Sequence, residues 1–244
     1  MLLEFSISHV IATLVIFAWS GFVRSGLGFG GAALGLPFML MVYDQPVFWL
    51  PVIGAHLLFF SALTLRTRFR DVGWAYLLRS TVLIIPATIA GVFGLISLPN
   101  HIMVIFIYLV TLFYAVIWLL RLNIHSSNRW VDRMLLITGG YIAGTSLTGA
   151  PLIVAVYMRN IPTHQLRNSL LVLWFILVSI KMSTFVALNV PLHLETAVLL
   201  LPVAAVGHVL GLKAHDRILA HDPLFKRIIG AVLLVVCVLG LLRV

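Results

Sequence analysis

The chain has a single cysteine, Cys237, in 244 residues. That excludes an intrachain disulfide and a zinc site built from several thiolates. Charge is scarce as well. Asp, Glu, Lys and Arg make up 9% of the residues, whereas a soluble domain carries about a quarter. With 62% hydrophobic residues, the chain has too few charges to cover a water-facing surface. Acidic residues are the fewer of the charges, seven against sixteen Lys and Arg. Glu4, Asp44, Asp71, Asp132, Glu195, Asp216 and Asp222 all fall at the ends of apolar segments or in the joints between them. This leaves no paired carboxylates, no Ser-His-Asp set and no metal-spaced histidine cluster, so neither an enzyme, a metal site nor a cofactor is indicated. Long polar stretches are also missing, which leaves no room for a separate soluble domain. The opening Met1-Leu2-Leu3-Glu4 has no positive n-region, and no signal peptide is expected.

Long apolar runs, by contrast, recur along the whole chain. They cover roughly 5–23, 26–43, 46–65, 74–97, 101–121, 134–158, 163–188, 194–211 and 224–243, the pattern of a polytopic α-helical membrane protein. The net charge of +9 therefore reads as cytoplasmic loop charge rather than as a nucleic-acid surface. Arg66, Arg68, Arg70 and Arg79 gather at one joint, and Arg121, Arg129 and Arg133 at a second. Arg159 and Arg167 flank a third joint; Lys213, Arg217, Lys226 and Arg227 flank a fourth. Joints near Glu4, Asp44, Asn100 and 189–195 are poor in Lys and Arg. Placing the basic joints inside puts both termini outside. It also requires residues 5–43 to enter and return from outside, and 134–158 to do the same from inside. The second segment is too short to cross twice, since one crossing takes about 20 residues. Each is therefore expected to be a broken or re-entrant helical hairpin followed by three spanning helices.

The result is an all-α single membrane domain over 1–244 with two inverted-topology repeats, about 1–123 and 129–244. Direct matches support the repeat. Gly21, Gly26, Gly31 and Ala32 stand 118 residues before Gly139, Gly144, Gly149 and Ala150. Pro46, Pro86 and Gly91 stand 116 before Pro162, Pro202 and Gly207.

The hairpin bends carry the unusual chemistry. Arg24-Ser25-Gly26-Leu27-Gly28-Phe29-Gly30-Gly31 contains G-x-G-x-x-G with Asp44 downstream, but the long apolar run before it rules out a soluble nucleotide fold. Glycines this dense weaken a helix by about 1 kcal/mol each relative to alanine. A helix broken at membrane depth exposes backbone N–H groups at a positive dipole end, suited to an anion. In the second stretch Thr145, Ser146 and Thr148 add hydroxyls, Gly149 follows, and Pro151 suits the first turn of a new half-helix. These hydroxyls can also bond their own backbone. Arg24 and Lys181 are the two cations that the joints do not absorb. Each either attracts a negative substrate or reaches an interface. His56 and His208, inside apolar segments, are the candidates for proton coupling. His215 and His221 read as solvated loop residues. The two bends are expected to face each other around the substrate.

Gly26-Leu27-Gly28-Phe29-Gly30-Gly31 with Pro37 resembles the first glycine motif of the sulfite-exporter (TauE/SafE) family of bacterial membrane proteins. The run from 144 to Pro151, with Tyr157, Pro162 and Arg167 downstream, is similar to that family's second motif. Ala32 stands where the first motif has its last glycine. The resemblance spans the chain and implies export or exchange of sulfite, sulfonates or other small organic anions across the bacterial inner membrane. The substrate-binding candidates are then Arg24, Ser25, Gly26, Gly28, Gly30, Gly31, Thr145, Ser146, Thr148, Gly149, Pro151, Arg167 and Lys181, working by alternating access. The expected partners are a small anion and the lipid bilayer, with no nucleic acid; a homodimer is left open. A passive anion channel or a structural membrane subunit are the alternatives.

Overall fold

The computed structural model describes residues 6–27, 30–68, 71–122, 128–220 and 222–244. Among them are ten helices and no strand. In order they are α1 (Ile7–Leu27), α2 (Gly31–Val42), α3 (Pro46–Arg68), α4 (Trp74–Ser97), α5 (Asn100–Leu119), α6 (Arg129–Ser146), α7 (Ala150–Asn160), α8 (Thr163–Ala187), α9 (Leu194–Ala220) and α10 (Asp222–Leu241). Seven of them, all but α2, α6 and α7, are long and apolar enough to cross a membrane. Exposed Val, Leu, Ile and Phe side chains along these helices suit a lipid surface.

Two boundaries differ from the sequence expectation. The first break falls after Leu27 rather than near 24, because the end of α1 is held in helix by side chains of α9 (below). As a result α1 has 21 residues and reaches full crossing length, while α2 has only 12. The second correction concerns α9, which runs on to Ala220 and absorbs most of the joint expected after 211. His215 is thus helical and half-buried rather than a solvated loop residue; His221 lies outside the described residues.

The helices form two compact units, neither of which is a half of the sequence. Unit 1 comprises Met1–Trp49, Pro99–Asn123 and His193–Val244, and holds α1, α2, α5, α9 and α10. Here α1 packs along α9, and α10 packs along α5. Gly21 and Gly207 make the first contact possible. A Cβ on Gly21 would run into the Ala204 carbonyl oxygen, and one on Gly207 into that of Ala18. Without side chains the two backbones approach directly, the small-residue mode of helix association in lipid. Val23, Leu27, Leu34, Ala115, Ile229 and Leu233 form a core shared by α1, α2, α5 and α10.

Unit 2 comprises Leu50–Leu98 and Ile124–Leu192, with most of α3 and all of α4, α6, α7 and α8. It repeats the crossing. A Cβ on Gly91 would strike the Tyr141 carbonyl oxygen of α6, and one on Gly144 that of Thr88 on α4. Thr88 Oγ1 adds a 3.1 Å bond to the Gly140 carbonyl.

The joints pair by composition. In unit 1 the Asn100 side chain donates to the Asp44 carbonyl at 2.7 Å, and the Phe48 and His193 rings lie 4.6 Å apart. In unit 2 the Gly73 N–H donates to Ser169 Oγ at 2.9 Å, and Arg159 pairs with Asp132.

Candidate functional site

Each unit contains one broken hairpin. In unit 2 the hairpin is α6–α7. Its arms run back along each other: Gly139 faces Leu152 and Ile153 near the bend, and Asp132 meets Arg159 at the open end. The bend itself is Leu147, Thr148 and Gly149. Leu147 takes a left-handed conformation at φ 58, costly for a leucine by about 1–2 kcal/mol. It is held there by burial and by its N–H bond to the Ala143 carbonyl at 3.0 Å. Gly149 is the residue on which the bend closes, since a Cβ would overlap the Gly139 carbonyl oxygen.

A helix that stops leaves its last carbonyls without partners, and one that starts leaves its first N–H groups without partners. Both ends meet at this bend. On the α6 side, Lys181 Nζ donates to the Gly144 carbonyl at 2.6 Å and the Thr145 carbonyl at 3.0 Å. Lys181 is 1% exposed, so it does not reach an interface. Its charge sits against the negative end of α6, with the Phe185 ring 5.5 Å away. On the α7 side the early N–H groups face the bend, with Pro151 in the first turn. Ser146 Oγ donates to the Ile142 carbonyl at 3.0 Å and lies 2.6 Å from Thr148 Oγ1. With the Ser146 hydrogen on Ile142, Thr148 donates within that pair; turning the Ser146 hydrogen onto Thr148 Oγ1 instead releases the Thr148 hydrogen for a ligand. Thr145 is spent on its own helix, bonding the Tyr141 and Ile142 carbonyls. Tyr157 is anchored by a 2.6 Å bond to Ser80, which fixes α7 on α4.

In unit 1 the hairpin is α1–α2. Gly30 turns the chain at φ 82. Gly28 lies outside the described residues. Ser20 Oγ donates to the Gly31 carbonyl at 2.9 Å, and Trp19 Nε1 to that of Leu34 at 3.1 Å. The end of α1 is clasped from α9. His208 Nδ1 lies 2.5 Å from Ser25 Oγ, and His215 Nδ1 lies 2.6 Å from the Gly26 carbonyl. A carbonyl only accepts, so His215 donates from Nδ1. Gly26 and Gly144 match in the sequence repeat, and each carbonyl receives a nitrogen donor from a later helix: histidine in unit 1, lysine in unit 2. Arg24 is buried beside Gly31.

The structure thus gathers Ser146, Thr148, Gly149, Pro151 and Lys181 at one bend, and Arg24, Ser25, Gly26, Gly30 and Gly31 at the other, with His208 on Ser25. Arg167 stands two heptads from Lys181 on α8, about 21 Å along the axis. His56 is buried in α3 with its ring edge-on to Phe60. Sequence reasoning missed His215, whose basic surroundings read as a loop. It could have been found by continuing the apolar period of α9 through Leu210 and Ala214. Among the described residues no group of His, Cys, Asp and Glu is arranged to hold a metal.

Compared with known families, residues 13–239 match the family described as Sulfite exporter TauE/SafE. The chain belongs to that family. This TauE/SafE protein is accordingly a multi-pass membrane protein of a transporter family for sulfite- and sulfonate-type anions. No curated protein and no solved structure matches the chain. The sequence resemblance to TauE/SafE is confirmed across nearly the whole length, with both hairpin bends inside the match.

Proposed function

We propose that this protein is a secondary transporter that exports a small oxyanion such as sulfite or a sulfonate, by alternating access. The observation that carries the reading is the α6–α7 bend. Lys181 neutralises the carbonyl end of α6, so the N–H end of α7 and the Ser146–Thr148 hydroxyls present a net positive, donor-rich face. The α1–α2 bend, with Arg24, Ser25, Gly26 and Gly31, is its counterpart in unit 1. The two hairpins, each with a donor on the matched carbonyl, support the reading of two related inverted halves. The pairing of joints supports the sidedness. Lys- and Arg-poor joints meet one another in unit 1, and Arg-flanked joints meet in unit 2. On this reading both termini are outside the bacterial inner membrane.

Thermal unfolding of the purified protein against sulfite, sulfonates, sulfate and small carboxylates tests the proposal. A bound anion stabilises by about 2.7 kcal/mol at one hundred times its Kd. At least one member of the panel should raise the midpoint; no response to any of them overturns the anion reading.

A further inference from the structure

Most buried hydroxyls in unit 2 are spent on nearby carbonyls. Ser80 bonds Leu77, Thr88 bonds Ile84, and Ser169 bonds Gln165. Ser61 does not. It is 1% exposed in the middle of α3, and its Oγ has no hydrogen-bond partner among the described residues. A buried hydroxyl that forgoes the carbonyl one turn back is unusual, because that bond is always within reach in a helix. The Trp174 indole N–H of α8 is in the same condition, at 7% exposure.

Helix register puts the two at the same level. α3 and α8 run antiparallel in unit 2. Gly54 packs against Val178 and Met182, while Gly73, beyond the far end of α3, bonds Ser169 near the start of α8. Moving seven residues along α3 from Gly54 to Ser61 corresponds to moving from about 181 back to Trp174 on α8, about 10 Å. Trp174 also lies on the stripe of α8 that carries Lys181 to the α6 end, since seven residues make nearly two whole turns. It stands eleven residues past the start of α8, and the first residue of α7 stands ten before the end of its helix, across the short turn at Ile161 and Pro162.

We propose that Ser61 and Trp174 form a ligand seat inside unit 2, next to the α6–α7 bend, and that its occupant is a small oxyanion. An indole N–H only donates, so the occupant must accept. Lys181 supplies the positive charge on the same stripe. This rests on the reading of the protein as an anion transporter and names two residues of the site that the glycine motifs do not mark. With neither group bonded in the empty protein, removing either one costs the empty protein nothing in hydrogen bonds and removes one donor from the bound anion.

The test uses the full-length purified protein, the anion from the panel that stabilises it best, and the variants Ser61→Ala and Trp174→Phe. Without anion, Ser61→Ala is expected to unfold at or above the wild-type temperature, and Trp174→Phe below it by no more than the cavity left by the smaller ring accounts for. Each should bind the anion roughly tenfold more weakly, the loss of one hydrogen bond to a charged group. Selective 15N-indole labelling reads the same contact in the unaltered protein, which contains six tryptophans. One indole resonance should move downfield on adding the anion and be absent from Trp174→Phe. Wild-type affinity in both variants, or no moving resonance while the anion still stabilises the protein, overturns the seat alone. A wild-type protein that answers no anion overturns the seat together with the transport reading beneath it.

Discussion

Lys181 is the residue on which the unit 2 bend depends. A lysine at 1% exposure needs partners, and it takes them from backbone carbonyls rather than from a carboxylate. The sequence marked Lys181 as a cation left over by the joints, with every acidic residue at a segment end or in a joint. It could not show the pairing itself, because a backbone carbonyl has no letter in the sequence. Lys181→Met should leave the Gly144 and Thr145 carbonyls without their donor and lower stability by about 2 kcal/mol. The midpoint of thermal unfolding in detergent measures this. An unchanged midpoint would mean that the α6 end finds other partners.

At the scale of the element, glycine has two separate jobs here. At Gly30 and Gly149 it permits a turn or a closed bend; at Gly21, Gly91, Gly144 and Gly207 it lets two helix backbones touch. Gly144→Val should push α6 off the Thr88 carbonyl of α4, at about 1–3 kcal/mol for an overpacked contact. Gly207→Val should do the same to α1 and α9 in unit 1. Both are read as lowered unfolding midpoints, and a midpoint at the wild-type value in either would show that its crossing is loose. The glycines, the bends and nearly every helix were legible in the sequence, since hydropathy and Gly/Pro punctuation are local signals. Which helices pack together was not. The contact between α1 and α9 joins residues nearly two hundred apart, and apolar letters do not record their neighbours. The length of α9 was hidden for another reason: Lys213, Arg217 and the histidines look like a loop until the helix period is followed through them.

At the scale of the whole molecule, each unit draws one hairpin from one half of the sequence and helices from both halves. The proposed sidedness rests on the charge of the joints. Cysteines introduced as Leu192→Cys and Asp216→Cys, in a Cys237→Ser background, flank the span Leu194–His215 and should label from opposite faces of the membrane. Labelling from one face would contradict the inverted topology. The central claim, that a small oxyanion is carried at the broken hairpins, is tested most directly by exchange. Proteoliposomes loaded with unlabelled sulfite should take up radiolabelled sulfite through the wild-type protein. In the Ser146→Ala/Thr148→Val double variant the rate should fall by roughly tenfold or more, the loss of a charge-assisted hydrogen bond, with the variant still folded. Exchange by the double variant at the wild-type rate, or none by the wild type with any anion of the panel, would contradict the account.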